Sequence, residues 1–407
     1  MTAPFAAEPP PPRDVAGLRL SWASPLPPIR SGVADYAAEI LPPLAALADV
    51  LVVEPPGWKA PQADGPWLAL PRLPATAATE GERLEVLHLG NNPYHLWVAE
   101  RLRRRGGVVV LHDPVLHHLL VEEAAAQGGW ERFAEELEAA HPGAGQALAT
   151  ARRWGYTGPL DPFLFPAPHP FLRHARGVMV HSRAAAEAVG KVFPELPVAA
   201  VPLAVACLAR PEDRPAWRHR LGVSADELAL LHLGFLTPAK GLEVILRALA
   251  ALREVGVPCK LVVVGEGSEG GALESRARAA GLGAMLLPWG FATEKELGGL
   301  LAAADLGLVP RYPTAGETSA AALRLLAAGV PVIVSGYRQF LELPAAAALR
   351  VPPGESGVAD MVRHVAALAA NPAALEGARE AARQTWVRGG HEPAAAAAAL
   401  VAALAAF

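Results

Sequence analysis

The feature that most constrains the fold is an alternation of short apolar runs with helical stretches, repeated in both halves of the 407-residue chain. In the first half the runs are residues 18–22, 50–53, 84–89, 108–111, 178–180 and 198–201. In the second half they are residues 228–233, 260–264, 285–287, 306–309 and 332–334. Strands that alternate with helices form parallel sheets with helices on both faces. The sequence therefore predicts an α/β protein with two doubly wound, Rossmann-like domains facing a cleft.

Composition changes along the chain suggest where the domains begin and end. We expect a disordered tail at 1–14, a first domain at 15–205, a proline-rich linker at 206–216, a second domain at 217–380 and a helical segment at 381–407. The apolar end of the chain, residues 393–407, is mostly alanine and shorter than the roughly 20 residues that span a bilayer. It is predicted to be a packed helix.

Charge and cysteine content exclude several classes of protein. A net charge of −4 and a pI near 6.4 argue against a nucleic-acid-binding surface, which would be basic. Cys207 and Cys259 fit no metal or redox spacing, and residues 1–14 lack the basic start and apolar core of a signal peptide. These features favour a protein of the reducing cytoplasm.

Two loops of the second half predict an anion site. Thr314, Gly316, Glu317, Thr318 and Ser319 lie between an apolar run and an Ala/Leu helix, where free N–H groups and the helix dipole favour phosphate.

The second loop follows the run 228–233 and carries Lys240, one of five lysines among 36 basic residues. A lysine there can neutralise a phosphate as a point charge. The alternative is a solvated lysine near a helix start, where the helix dipole disfavours it.

Three loops of the first half carry polar residues directly after predicted strands. Arg30 and Gly32 follow the first run, and Gly32 allows a ligand to approach the backbone closely, although an ordinary strand-to-helix turn is an alternative. Asn91, Asn92 and Tyr94 follow the run 84–89 and suit neutral hydroxyl groups, unless the asparagines merely form the turn.

His112 and Asp113 follow the run 108–111, where a histidine can face the cleft and hold a substrate hydroxyl or a developing anion. His117 and His118 lie close in sequence, but no zinc-enzyme spacing is present. His181 and Ser182 end another strand, with Ser182 as a possible helix cap. No D-x-D motif occurs in the chain, so no metal and no cofactor are predicted.

Several of these segments together resemble the retaining glycosyltransferases of family 4, which have the GT-B fold. The matching segments are PLPPIRSGVADY, HLGNNPYH, LHD, HS, GFLTPAKG, VVVGEG and RYPTAGETS…AAGVPVIVS, spread over residues 18–344. The chain is particularly similar to a bacterial subgroup with GNNP and PT-x-GETS motifs. The resemblance implies transfer of a sugar from a nucleotide diphosphate sugar to an acceptor hydroxyl with retention of configuration. It also implies a donor on the second domain, an acceptor on the first, and a last helix that crosses back.

The resemblance assigns roles to individual residues. By position, Gly32 matches a glycine near the donor diphosphate, His112 a histidine near the transferred sugar, and Lys240 a lysine on the diphosphate. We therefore expect catalytic roles for His112, Lys240 and Glu317. The expected donor-binding residues are Gly32, Lys240, Arg311, Gly316, Glu317, Thr318 and Ser319. The expected acceptor-side residues are Arg30, Asn91, Asn92, Tyr94 and Asp113, and the expected base-pocket residues are Gly265, Gly267 and Phe291.

The chain also departs from the family pattern. Phe235 stands where the family has an arginine five residues before the lysine, and Arg311 is our hypothesis for the replacement. The family's paired glutamates fall at Gly316 and Arg324, with Glu317 displaced by one position, which puts ribose recognition in question.

Three other functions were weighed against transfer. The alternatives are a catalytically degenerate nucleotide-sugar-binding subunit and, with less support, a sugar-nucleotide epimerase. A pyridoxal phosphate phosphorylase would need a Schiff-base lysine and a longer chain. By resemblance, the acceptor is a saccharide or a lipid-linked sugar in cell-envelope polysaccharide or glycolipid synthesis. Peripheral association with the inner membrane face is compatible with that acceptor.

Overall fold

The computed structural model of the protein describes residues 17–61, 65–77 and 82–407. The predicted tail at 1–14 lies outside the described residues. Both cysteines are free. None of the helices within the described ranges is both long and apolar enough to cross a bilayer.

The first sheet contains seven parallel strands in the order β3-β2-β1-β4-β5-β6-β7. The strands are β1 Arg19–Ala23, β2 Asp49–Glu54, β3 Arg72–Pro74, β4 Leu84–Leu89, β5 Val108–Leu111, β6 Gly177–Val180 and β7 Val198–Ala200. The helices around them are α1 Gly32–Ala45, α2 Leu96–Arg105, α3 His117–Gln127, α4 Trp130–Ala140, α5 Ala144–Arg153, α6 Asp161–Leu164, α7 His169–Leu172 and α8 Arg183–Val192.

The second sheet contains six parallel strands in the order β10-β9-β8-β11-β12-β13. The strands are β8 Leu228–Leu233, β9 Cys259–Val264, β10 Leu286–Gly290, β11 Leu306–Val309, β12 Val332–Ser335 and β13 Ala348–Val351. The helices are α9 Arg214–Arg220, α10 Leu242–Glu254, α11 Gly270–Ala279, α12 Glu294–Ala303, α13 Ala320–Ala327, α14 Val358–Ala370, α15 Pro372–Arg388 and α16 Pro393–Leu404. Helix α9 begins inside the segment predicted as a linker.

The two doubly wound sheets confirm the predicted fold class. The central strands β5, β6, β11 and β12 are buried along their whole length, because helices cover both faces of each sheet. Strands β3 and β13 were not predicted. Strand β3 has only three residues, and β13 includes the half-exposed Leu349 and the exposed Arg350, so neither reads as a buried apolar run.

The strand order places the predicted site loops at two equivalent positions. In each sheet the strand order reverses between two neighbouring central strands, β1 and β4 in the first sheet and β8 and β11 in the second, although all strands run parallel. Ligands of doubly wound sheets bind beyond the carboxyl ends of the strands at such a switch point. The loops after these four strands contain Gly32, Asn91, Lys240 and the 310–319 segment.

The C-terminal helix returns to the first domain, as expected. Helix α16 packs against α1, where its Leu400 and Leu404 share one apolar core with Ile40 and Leu44 of α1. Phe407 then covers Gly177 of β6, where an added Cβ would lie 2.5 Å from the phenyl ring. This packing ties the end of the chain to the first sheet.

Candidate functional site

The N-terminus of α13 presents free backbone amides, as the sequence predicts. Ser319 caps the helix, since its hydroxyl accepts a hydrogen bond from the amide of Ala322 at 3.2 Å. Gly316 has a φ of +90°, a conformation that glycine adopts without strain. Within the described residues, the amides of Thr318 and Ser319 have no hydrogen-bond acceptor. They are therefore available to an anion at the end of β11.

Arg311 lies in the same loop and is only 5% exposed. Its guanidinium forms an ion pair with Glu317, while its Nε has no hydrogen-bond partner in the described part of the chain. The other oxygen of Glu317 accepts from Thr314 at 3.0 Å. Gln339, which sequence reasoning missed, donates to Thr314 Oγ1 at 2.8 Å and to the carbonyl of Glu317 at 2.9 Å. Both carboxylate oxygens of Glu317 are thus occupied.

Lys240 reaches this site from the loop after β8. The amide of Tyr312 donates to the carbonyl of Ala239 at 2.9 Å, and Gly241 packs so closely on Pro310 that a Cβ there would lie 2.4 Å from its carbonyl oxygen. Within residues 17–61, 65–77 and 82–407, the ammonium group of Lys240 makes no hydrogen bond or ion pair.

The surroundings of Lys240 disfavour its charge. Burial and the positive charge of Arg311 lower its pKa to about 7, although Glu317 and Asp113 act in the opposite direction. An anion bound beside Lys240 would supply a negative counter-charge and so favour the protonated form of the lysine.

Asp113 faces these groups from the first domain. Its Oδ2 accepts from the amide of Asn91 at 3.0 Å. Burial and the negative charge of Glu317 raise the pKa of Asp113 to about 6, with Arg311 and Lys240 opposing the rise. Charges from the second domain therefore act on an acid of the first. The two site loops also approach each other directly, since a Cβ on Gly316 would lie 3.5 Å from Pro114.

His112 belongs to a cluster of aromatic rings beneath Asp113. Its Nε2 lies 3.0 Å from Nδ1 of His88, a fully buried residue of β4. The rings of Tyr36 and His181 lie 5.1 Å and 5.0 Å from the ring of His112. Burial, followed by the proximity of His181, holds the pKa of His112 well below its usual value. The imidazole is therefore neutral at physiological pH.

Polar contacts between the domains hold the two halves of the site together. Thr318 Oγ1 donates to the carbonyl of His181 at 2.8 Å. The carboxylate of Glu342 accepts from the amides of Arg183 and Ala184, at 3.0 Å and 2.8 Å, at the N-terminus of α8. Ser182 is the side-chain cap of that helix, as suggested from the sequence, because it accepts from Ala185 at 3.1 Å.

Arg324, which occupies the position of the family's second glutamate, also contacts the first domain. It donates to Glu39 of α1 at 2.6 Å and to the carbonyl of Ala206 at 3.2 Å. The other oxygen of Glu39 accepts from the amide of Ala206 at 2.7 Å. Arg324 is thus a part of the domain contact.

The predicted base-pocket residues lie on loops after β9 and β10. Gly265 and Gly267 have φ values of +134° and +152°, and a Cβ on either would lie within 2.4 Å of a backbone oxygen of the loop after β8. These glycines are therefore required by loop packing. The guanidinium carbon of Arg30 lies 4.1 Å from the ring centroid of Phe291, and Arg30 Nη1 lies 3.5 Å from Glu266. The structure thus places Arg30, assigned to the acceptor side, against the second domain.

The remaining predicted residues line the first domain. Gly32 begins α1, and no atom lies within 4 Å of where its Cβ would be, which leaves open space before the helix. Asn91 Oδ1 accepts from the amides of His118 and Leu119 and so caps α3. Asn92 accepts from the amide of Tyr94 at 3.1 Å, so its oxygen forms the turn, and Tyr94 itself is exposed.

The structure therefore brings together eight predicted residues around one cleft: His112, Asp113, Lys240, Arg311, Gly316, Glu317, Thr318 and Ser319. It shows no contact of Asn92 or Tyr94 with that group. Among the described residues, no three His, Cys, Asp or Glu side chains stand close enough to hold a metal ion.

Comparison with known proteins agrees with this geometry. Residues 213–385 match the protein family described as Glycosyl transferases group 1. This match lies almost wholly within the second domain. A GDP-mannose-dependent alpha-(1-6)-phosphatidylinositol dimannoside mannosyltransferase of Mycobacterium tuberculosis is 34% identical over 135 residues, which are 33% of this chain and 34% of that protein. The chain spans about a third of the length of the curated relatives it matches.

Solved structures extend the similarity to both domains. The sucrose-phosphate synthase of Thermosynechococcus elongatus superposes with a TM-score of 0.60 at 17% identity, covering 91% of this chain and 95% of that one. HepE of Anabaena, solved with UDP and glucose, gives 0.60 at 16% identity, covering 96% of this chain and 100% of the other. The fold of the chain is therefore GT-B.

Proposed function

We propose that the protein is a retaining glycosyltransferase that moves a sugar from a nucleotide diphosphate sugar to an acceptor hydroxyl. The observation that carries the proposal is the convergence of Lys240, Arg311 and the free amides of Thr318 and Ser319 at one end of β8 and β11. Two cations and a helix N-terminus at a switch point suit a diphosphate. The family match of the second domain and the GT-B fold support the same conclusion.

The chemistry follows from where charge develops. As the bond between the anomeric carbon and the diphosphate breaks, negative charge builds on the departing phosphate oxygens. Lys240, Arg311 and the amides of Thr318 and Ser319 stabilise that charge without reorganising. His112 and Asp113 lie across the cleft, on the side from which an acceptor hydroxyl would approach.

Retention is proposed to arise from attack on the face that the diphosphate leaves. A covalent route would need a free carboxylate nucleophile close to the sugar. Glu317 is unsuited to that role, because Arg311 and Thr314 hold both of its oxygens. The anomeric configuration of the first-formed product, followed by proton NMR, tests this proposal, and an inverted product would contradict it.

Metal-independent catalysis is part of the proposal. Lys240 and Arg311 offer the positive charge that a divalent ion would otherwise bring to the diphosphate. Transfer measured with and without a chelator tests the point. Loss of activity with the chelator and recovery with magnesium would refute it.

A specific observation also favours a second candidate, a donor-binding subunit without turnover. Glu317 is neutralised by Arg311, and Arg324 replaces the second family glutamate and is engaged by Glu39. Such a subunit would bind the nucleotide sugar yet release neither free sugar nor product. Turnover with any acceptor would exclude this candidate.

We propose a saccharide or lipid-linked acceptor, in cell-envelope polysaccharide or glycolipid synthesis, with peripheral association at the inner membrane face. The name of the Mycobacterium tuberculosis relative assigns it a glycolipid acceptor. In this chain Trp154 and Tyr156 are 75% and 70% exposed, just after α5. Cosedimentation with vesicles of anionic and neutral lipid, compared for the wild type and a Trp154→Ser variant, tests the membrane association.

The deciding experiment is a thermal-shift screen against UDP, GDP, ADP and dTDP and their common sugars, without metal. A bound donor stabilises the folded state by mass action, so one diphosphate series should raise Tm. Lys240→Met should abolish the shift. The matched control is Lys191→Met, which changes an exposed lysine of the last turn of α8. No shift with any nucleotide, or an equal shift in the Lys240 variant, would contradict the proposed donor site.

A further inference from the structure

His88 and His112 form a histidine pair at the end of β4 and β5, next to Asp113. His88 Nδ1 and His112 Nε2 are 3.0 Å apart, so one nitrogen donates and the other accepts. His88 is fully buried, and the centroid of its ring lies 4.0 Å from that of Trp22. Its second nitrogen, Nε2, is buried and has no partner in the described part of the chain.

The other nitrogen of His112 is differently placed. His112 is half-buried, and its Nδ1 makes no hydrogen bond and is not among the buried unpartnered atoms of the described residues. Asp113, the next residue, experiences the charges of Lys240, Arg311 and Glu317 from the second domain. The accessible nitrogen of His112 therefore lies on the cleft side of the ring, and the bonded nitrogen lies on the buried side.

Both rings are neutral, because burial holds the pKa of each well below its usual value. Two arrangements remain. If His112 donated from Nε2, His88 would carry its proton on Nε2, leaving a buried N–H group without an acceptor. If His88 donates from Nδ1, only a bare ring nitrogen is left unpartnered. The second arrangement avoids an orphaned buried donor, which is costly and rare in folded proteins.

We propose that His88 is a positioning residue that donates from Nδ1 to His112 and thereby fixes the proton of His112 on Nδ1. His112 then presents an N–H donor to the cleft. A neutral N–H group can hold an oxygen of the sugar or the acceptor, but it cannot remove a proton from a hydroxyl. The proton position rests on the structure alone, whereas its consequence for transfer rests on the proposed function.

The test is the tautomer of His112 in the ligand-free protein, read from long-range proton–nitrogen correlations of histidine labelled with nitrogen-15. A His112→Gln variant identifies the signals. We expect the proton on Nδ1 in the wild type. In His88→Phe an aromatic ring is kept but the hydrogen-bond donor to His112 is lost, so the Nε2 tautomer of His112 should become populated. In His88→Asn the side-chain amide takes the place of Nδ1, and the wild-type tautomer should return.

The matched control is Tyr36→Phe, which removes a buried, unpartnered hydroxyl from the same cluster and leaves the histidine pair intact. Its spectrum should equal that of the wild type. With the donor that the thermal-shift screen identifies, His88→Phe should lower kcat about tenfold at an unchanged donor KM, and His88→Asn should restore most of it.

The outcomes separate the two ideas. A wild-type proton on Nε2, or an unchanged Nδ1 tautomer in His88→Phe, overturns the positioning role whatever the activity. An Nδ1 tautomer in a protein that binds no nucleotide sugar supports the pair and contradicts the proposed function instead. Equal loss of kcat in the Phe and Asn variants, with wild-type Tm, also contradicts the positioning role.

Discussion

Donor binding should depend on pH through Lys240. The cationic form neutralises a diphosphate, and burial together with Arg311 lowers the pKa of this lysine to about 7 in the free protein. Because the pKa is lowered, the free lysine loses its charge as pH rises through 7, and binding must then take up a proton. Between pH 6 and pH 8 the protonated fraction falls from about 0.9 to about 0.1, so the apparent Kd should rise roughly tenfold.

The assay is calorimetric titration with the nucleotide diphosphate sugar found in the screen. Both phosphates of such a ligand are esterified, so its own charge stays constant over this range. Titrations in two buffers of different ionisation heat give the number of protons bound, which should approach one at pH 8. Lys240→Arg supplies the control, because a guanidinium stays charged and should make the Kd independent of pH above about pH 7.

Ionisation of Asp113 adds a second, smaller pH effect. Its pKa is raised to about 6, so it gains negative charge between pH 5 and pH 7 and also weakens diphosphate binding. This contribution should persist in Lys240→Arg and end by about pH 7. A wild-type Kd that changes less than twofold between pH 7 and pH 8.5, or a Lys240→Arg variant that keeps the full dependence, would refute the assignment of Lys240.

Three further predictions follow from other contacts. Arg311→Ala should raise the donor Kd tenfold or more, because it removes a cation and leaves the charge of Glu317 uncompensated. Adding Glu317→Gln should recover part of the lost affinity. An unchanged Kd in isothermal titration would contradict the role of Arg311 as the replacement cation. Glu342→Gln should weaken the domain contact at the N-terminus of α8 by about 1 kcal/mol and increase the radius of gyration measured by X-ray scattering, whereas Glu355→Gln, an exposed control, should not. The free energy of unfolding should fall as pH drops from about 6.5 toward 4. Burial lowers the pKa of several histidines in the folded state, so in this pH range the unfolded chain binds protons that the folded protein does not. The stability that these neutral histidines contribute is therefore fully present above pH 6.5 and is lost as pH falls. Four buried histidines have a pKa near 4 and together give about 5 kcal/mol per pH unit near pH 5.5; they are His95, His117, His181 and His232. The raised pKa values of Asp35 and Asp113, both about 6, offset about 2 kcal/mol per pH unit of this slope. A urea midpoint that stays flat over this pH range would contradict the reasoning.

The sequence predicted the strands well where both faces are buried. The runs 84–89, 108–111, 228–233 and 306–309 coincide with β4, β5, β8 and β11, because strands covered on both sides are mostly apolar. The edge strands β3 and β13 pair on one side only and tolerate Arg72, Pro74 and Arg350, so periodicity does not detect them. The site loops were detectable because polar residues directly after a buried strand stand at the edge where ligands bind.

Contacts across the cleft were not predictable in this way. Arg30 stacks on Phe291, which follows it by 261 residues, and Gln339, which lies beyond β12, donates a hydrogen bond to the carbonyl of Glu317. No local sequence pattern predicts contacts between residues so far apart in the chain. His88 differs from them. A histidine in a mostly apolar run of a central strand needs a polar partner, and that alone could have marked it. Its partner, however, is set by the pairing of β4 with β5, which the sequence leaves open.

The departures from the family pattern become compensated pairs in the structure. Arg324, standing in place of a glutamate, meets Glu39 of α1 at 2.6 Å, and Glu317, displaced by one position, meets Arg311. Each substitution therefore carries its opposite charge within reach, in one case on the other domain. An isolated change of charge at a partly buried position would cost several kcal/mol, whereas a pair with good geometry avoids most of that cost. A charge-reversal test follows: Glu39→Arg should destabilise the protein, and Glu39→Arg with Arg324→Glu should restore part of the lost Tm. If the double variant is as unstable as the sum of the two single variants, Glu39 and Arg324 are not coupled and the argument for compensation fails.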